Sequence, residues 1–155
     1  MQEEKNEKNE KNENDLIFEK LLKGEDITEK IETDRGEFLL KYPLQKEHKE
    51  IIKKRIKYLE DLNIDNLTDN ELTAYNVIAI LDTVIIKSPE WWTSAYNIFN
   101  IDYSLILELY RGYLLFSRKI QDHCNNSRIG KDDNRDDRDN KNETMGIGLF
   151  SGSSK

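Results

Sequence analysis

The sequence predicts a mainly α protein: a small helical domain of four or five helices with an N-terminal β-hairpin, set between two disordered polar ends. Three observations predict it. Apolar residues recur with helical spacing through most of residues 45–123. A Gly-containing turn, Asp34-Arg35-Gly36-Glu37, separates two short strand-like runs. Both ends lack apolar residues in the density that would offset the entropy of ordering them.

Residues 1–14 repeat Glu-Lys-Asn and read as a disordered leader. Leu16, Ile17, Phe18, Leu21 and Leu22 then form a short helical cluster stopped by Gly24. The hairpin near 27–42 places Phe38, Leu40 and Tyr42 on one face, and Pro43 ends the strand by withholding a donor. Residues 45–62 are an amphipathic helix, with Ile51, Ile52, Ile56, Tyr58, Leu59 and Leu62 on its apolar arc and lysines elsewhere. Thr68 and Glu71 have capping-box spacing, so a second long helix starts there and runs to Lys87. Its apolar residues point in nearly every direction, which marks a central element. The β-branched density makes a buried strand the rival reading, and the cap and length favour helix. Ser88-Pro89 is read as the start of a short helix carrying Trp91, Trp92 and Tyr96. Asp102 caps a last helix over residues 103–123, and residues 125–155 form a disordered tail, charged and then Gly/Ser-rich. Residues 15–124 are thus expected to form one domain.

Composition narrows the function classes. The 155 residues carry a net charge of -7, with 36% hydrophobic and 35% charged residues. That balance disfavours nucleic acid and anionic membrane as partners. The single Cys124 excludes an internal disulfide framework. No apolar run reaches the length of a bilayer span, and the start lacks the apolar centre of a secretion signal, so a reducing, soluble compartment is expected.

No reaction is nominated by any motif, and no cofactor is expected. Asp82 lies in the apolar helix and requires a donor, for which Arg55, Arg111 or a Tyr hydroxyl could serve; a structural pair fits better than a catalytic acid. His123-Cys124, even with His48, matches no zinc spacing, so no metal is expected, and His48 reads as a boundary residue. Lys53-Lys54-Arg55-Lys57 is diluted by neighbouring acids and reads as a solvated face.

Surplus apolar area is the informative feature. On the last helix Leu105, Leu109, Tyr113, Phe116 and Ile120 form a core stripe, which Leu107, Tyr110 and Leu114 widen beyond one packing partner. The wide arc fits either a helix flanked twice within its own domain or a face left for another chain. Trp91 and Trp92, neighbours on a helix, would diverge, leaving one near the surface as a candidate anchor or as a lid on the domain.

The segments Arg35-Gly36-Glu37-Phe38-Leu39-Leu40-Lys41-Tyr42-Pro43, Ser88-Pro89-Glu90-Trp91-Trp92 and Leu105-Ile106-Leu107-Glu108-Leu109-Tyr110, in this order around a charged and an apolar helix, resemble the tail assembly chaperones of long-tailed bacteriophages and prophages. The likeness spans residues 27–122. It implies a non-enzymatic protein of the host bacterial cytoplasm that binds the helical tape-measure protein, keeps it soluble, and hands it over as tail-tube subunits polymerise. On that reading Trp91, Trp92, Tyr96, Leu107, Tyr110 and Leu114 form the binding groove, and a homo-oligomer is possible. The competing readings are a virion component, such as a tail connector or tube-end protein, and a small DNA-binding regulator using the helix around Lys53.

Overall fold

A computed structural model describes residues 2–129. The element order is α1 (Gln2–Leu22), β1 (Thr28–Thr33), β2 (Gly36–Lys41), α2 (Gln45–Leu59), a 3-10 turn (Ile64–Asn66), α3 (Asp69–Val84), β3 (Ile85–Lys87), α4 (Ala95–Ile98) and α5 (Tyr103–Asn126). This is the mainly helical fold with an N-terminal hairpin that the sequence predicts. Two compact units divide the chain, one combining residues up to Phe18 with those from His123, the other Glu19–Asp122. No helix among the described residues is long and apolar enough to cross a membrane.

In the smaller unit the expected disordered leader is instead helical, since α1 begins at Gln2. The repeat holds no Gly or Pro, and Glu and Lys are good helix formers, so a polar tract can extend a helix that is anchored further on. The anchor is polar. Asn14 Oδ1 meets His123 Nδ1, and Asp15 Oδ1 accepts from the Ser127 hydroxyl at 2.7 Å and the Arg128 N–H at 2.8 Å. Those donors hold the Asp15 carboxyl below its usual range, the Ser127 hydroxyl most strongly. Residues 125–127 of the expected disordered tail are ordered instead: α5 continues through Asn126 and Ser127 is buried. Residues 130–155, the rest of that expectation, lie outside the described residues.

In the larger unit α1 ends where Gly24 adopts φ 71°. The Gly24 N–H donates to Leu21 O and the Glu25 N–H to Lys20 O, closing the last turn. The hairpin pairs Thr28 with Lys41 through Thr33 with Gly36, leaving Asp34 and Arg35 as the turn. Gly36 is required twice over: its φ is 128°, and an added Cβ would lie 2.6 Å from Pro89 Cγ.

Thr68 caps α3 with a reciprocal box, its N–H donating to Glu71 Oε2 at 2.8 Å and its Oγ1 accepting from the Glu71 N–H at 3.3 Å. Val77, Ile78, Ala79, Leu81 and Val84 are buried on several sides of α3, the expected central element. It stops at Val84, short of Lys87. Ile85–Lys87 pairs antiparallel with β2 through Leu40 and Leu39 to make a three-stranded sheet in the order β1-β2-β3. The β-branched pair Ile85-Ile86 loses little by leaving the helix and satisfies the open edge of β2. The rival strand reading thus holds for these three residues.

Two further expectations are corrected. The Ser88-Pro89 segment forms no helix but a turn, with the Trp92 N–H donating to Pro89 O at 3.0 Å. The short helix α4 starts later, capped by Ser94, whose Oγ accepts from the Asn97 N–H at 3.1 Å. On α2 only Ile51 is buried, while Ile52 and Ile56 point outward, 50% and 60% exposed. Periodicity fixes an arc but not which edge of it meets the core. In α5 the core stripe is as expected, with Leu105, Leu109, Tyr113, Phe116 and Ile120 all buried. The Leu105 N–H donates to Asp102 Oδ1 at 3.1 Å, the anticipated cap.

Candidate functional site

Asp82 organises the region where α2, α3 and α4 meet. Its Oδ2 accepts from the Tyr58 hydroxyl at 2.7 Å, which supplies the required donor. Its Oδ1 accepts from the Ala95 N–H at 2.5 Å and Oδ2 from the Tyr96 N–H at 3.4 Å. A carboxylate on the first turn of α4 complements the partial positive charge there. Burial and the Asp82 charge together push the Tyr58 hydroxyl well above its ordinary value of 10.0. The Lys54 ammonium donates to the Asp82 carbonyl at 2.6 Å, so one member of the basic run serves the fold.

Once α4 is pinned, its aromatics have fixed positions. The Tyr96 ring stacks on Tyr58 at 4.6 Å, and Phe99 meets Tyr103 edge-on at 5.2 Å. Tyr96, Phe99 and Tyr103 line one wall of an open cleft of about 790 Å3, with Tyr75, Leu62 and Leu67 also on its lining. Tyr96 and Tyr103 are 46% and 54% exposed. Glu71 borders the cleft, but its carboxylate is engaged by Thr68, which holds it below the usual carboxylate range. The cleft surface is mixed, nearly half of it polar: the rings and Leu62, Leu67 and Ile78 alternate with Asn70, Asn100 and the tyrosine hydroxyls, so it can take apolar side chains together with polar groups that orient them.

Three of the six residues expected to form a groove are divided among three cavities. Trp92 is half-buried and packs edge-on against Phe38 at 5.1 Å. Trp91 is 46% exposed, with its ring 6.1 Å from Trp92. Both rings meet Phe38 edge-on, Trp92 more closely and Trp91 at 6.2 Å, so the two differ in how much surface they leave to solvent, and they sit on a turn, not on a helix. Trp91 faces a second cavity of about 450 Å3 beside Ile98, Ile101 and the Arg35–Asp102 ion pair. Trp92 lines a third, with Tyr58 and Asp82, and Tyr96 lines the large cleft. Leu107, Tyr110 and Leu114 line none of these three. Leu107 and Tyr110 are half-buried, Tyr110 packing against the core, whereas Leu114 is exposed beside the more exposed Leu115. The surplus apolar face of α5 is therefore real but narrow.

Sequence reasoning missed Phe99, Tyr103 and Tyr75. The spacing of Tyr96, Phe99 and Tyr103 was a usable signal, hidden because the chain leaves the helix after Ile98 and re-enters it at Tyr103. His48 is exposed. Burial pushes the Cys124 thiol up, away from the reactive thiolate. Among the described residues no three His, Cys, Asp or Glu gather where they could hold a metal ion.

No family model matches the sequence, and neither a curated protein nor a solved structure matches it.

Proposed function

We propose that this chain is a non-enzymatic tail assembly chaperone of a long-tailed bacteriophage or prophage, acting in the host cytoplasm. It holds apolar helical segments of the tape-measure protein in solution until tail-tube subunits enclose them. The observation that carries this reading is the open aromatic cleft at Tyr96, Phe99 and Tyr103, with Trp91 exposed on a neighbouring turn. Flat, stiff rings interleaved with the amides of Asn70 and Asn100 suit one face of an amphipathic helix, which presents apolar anchors at i, i+3, i+4 and i+7 with polar groups beside them. The residue patterns that resemble the chaperone family supply the identity of that helix.

Co-expression tests it. The wild-type chain is expected to raise the soluble yield of the tape-measure protein, and Tyr96→Ala combined with Tyr103→Ala to remove the gain while circular dichroism stays unchanged. Both rings are half exposed, so their loss leaves the core intact. Full chaperoning by the double variant would reject the cleft as the binding site. Presence of the chain in purified particles would reject the chaperone reading in favour of a virion component.

A further inference from the structure

The outward face of α2 pairs exposed isoleucines with a concentration of basic side chains. This helix carries six basic residues, Lys46, Lys49, Lys53, Lys54, Arg55 and Lys57, against Glu47 and Glu50, within a chain of net charge -7. Two of its charged groups are spent on the fold: Lys54 binds the Asp82 carbonyl, and Glu47 is 2.8 Å from the Lys41 ammonium. At about 100° per residue, Ile52 and Ile56 stand within roughly 40° of each other at the centre of the exposed face. Lys49 and Lys53 flank them on one side, and His48 and Arg55 on the other, all exposed. Glu50, paired with Lys53 at 3.0 Å, lies at the margin of this face, and Glu60 just past the end of the helix.

We infer that the Ile52–Ile56 ridge of α2 is a docking surface for an acidic amphipathic helix. An aliphatic pair at i, i+4 forms one ridge that seats between side chains of a second helix. Cations on both sides then face the positions next to the partner's apolar seam, where Asp or Glu complements them, as charged flanks select partners in coiled coils. Duplex DNA fits worse, because its phosphates would meet the two isoleucines where a reader needs cations. An anionic membrane fits worse too, since two aliphatic side chains insert little area and the rest of the chain is repelled. The inference does not depend on the tape-measure reading, which uses the Tyr96 cleft.

The test uses the full chain and a fluorescent synthetic peptide of about 18 residues, Leu repeating at helical a and d positions with Glu beside them. Its controls are a scrambled peptide of the same composition, the same pattern with Lys for Glu, and phosphatidylcholine vesicles with about a quarter phosphatidylserine. Anisotropy is expected to show the patterned acidic peptide bound about tenfold more tightly than either control peptide. Binding should weaken between about 50 and 300 mM salt. Ile52→Asn with Ile56→Asn should lower affinity about tenfold with unchanged circular dichroism, and Lys49→Glu with Arg55→Glu should shift preference to the Lys peptide. Tyr96→Ala with Tyr103→Ala should leave this binding intact. Equal affinity for the scrambled peptide, full affinity in the isoleucine variant, or binding to vesicles alone would overturn the inference.

Discussion

The Tyr58 hydroxyl donates to Asp82 Oδ2 at 2.7 Å, tying α2 to a carboxylate that also receives the first two N–H groups of α4. The two ends of this bond are not equivalent. Tyr58→Phe removes one donor and leaves Asp82 its backbone partners, so the expected loss is about 1 kcal/mol. Asp82→Ala strands the Ala95 and Tyr96 N–H groups and the Tyr58 hydroxyl together, for an expected loss of about 2–4 kcal/mol. Urea unfolding of the two variants should rank them in that order; equal stability would mean that Ser94 alone holds the start of α4.

Gly112 lies mid-helix in α5, where an added Cβ would run into the Ile31 side chain of β1. Alanine gains about 1 kcal/mol in helix propensity at an ordinary site. Overpacking here costs about 1–3 kcal/mol, so Gly112→Ala is expected to destabilise. The nearest atom is Ile31 Cδ1, which Ile31→Val deletes. In the Ile31→Val background the same alanine should therefore be close to neutral. A thermodynamic cycle from four urea curves checks this, and an unchanged alanine cost would mean that the β1 backbone, not its side chain, sets the spacing.

These contacts also show which parts of the fold were legible in advance. The Thr68–Glu71 box, the Asp102 cap and the Gly24 stop are local signals, readable because donor and acceptor lie within a few residues. The conversion of Ile85–Lys87 to strand depends on the edge of β2, more than forty residues earlier in the chain, and no window on the sequence contains both. Ser88-Pro89 is a good cap motif that loses to Ser94, because Asp82 receives the Ala95 N–H and so supports the later start. The site was half legible for the same reason. That one of two adjacent indoles stays near the surface is legible from their adjacency, though not which one, whereas the cleft needs the α4 to α5 junction that carries Phe99 round to Tyr103.

Acid should loosen the start of α2 before the core. Glu47 accepts from Lys41 Nζ at 2.8 Å and from the Leu44 N–H at 3.1 Å, and these bonds, led by Lys41, hold its carboxyl below the ordinary 4.5. Because the folded value lies below the unfolded one, the contribution is present above pH 4.5 and lost as the pH falls through the folded value. Glu71, bonded to Thr68, acts in the same direction at α3. Glu47→Gln is expected to be less stable at neutral pH and to show a shallower fall on acidification, read from urea midpoints across the carboxylate range. At the alkaline end burial raises Tyr113, so its contribution is present below pH 10.0 and lost as the pH climbs through the higher folded value.

The two indoles should separate packing from binding. Trp92 is half-buried with its ring 5.1 Å from the buried Phe38, whereas Trp91 leaves 46% of its surface to solvent. Trp92→Ala is expected to cost about 3 kcal/mol, since it opens a space beside the core, and Trp91→Ala less, about 1–2 kcal/mol, since it gives up only the more distant edge contact with Phe38. Iodide should quench the remaining fluorescence of Trp92→Phe, which reports Trp91, more strongly than that of Trp91→Phe. If the proposed chaperone function uses this face, a partner helix should shield Trp91 and reverse that order of quenching in the complex. Trp92 would be unaffected, because its ring already has protein against it. A complex in which Trp91 stays as open to iodide as in the free chain would confine the partner to the Tyr96 cleft and remove Trp91 from the binding surface.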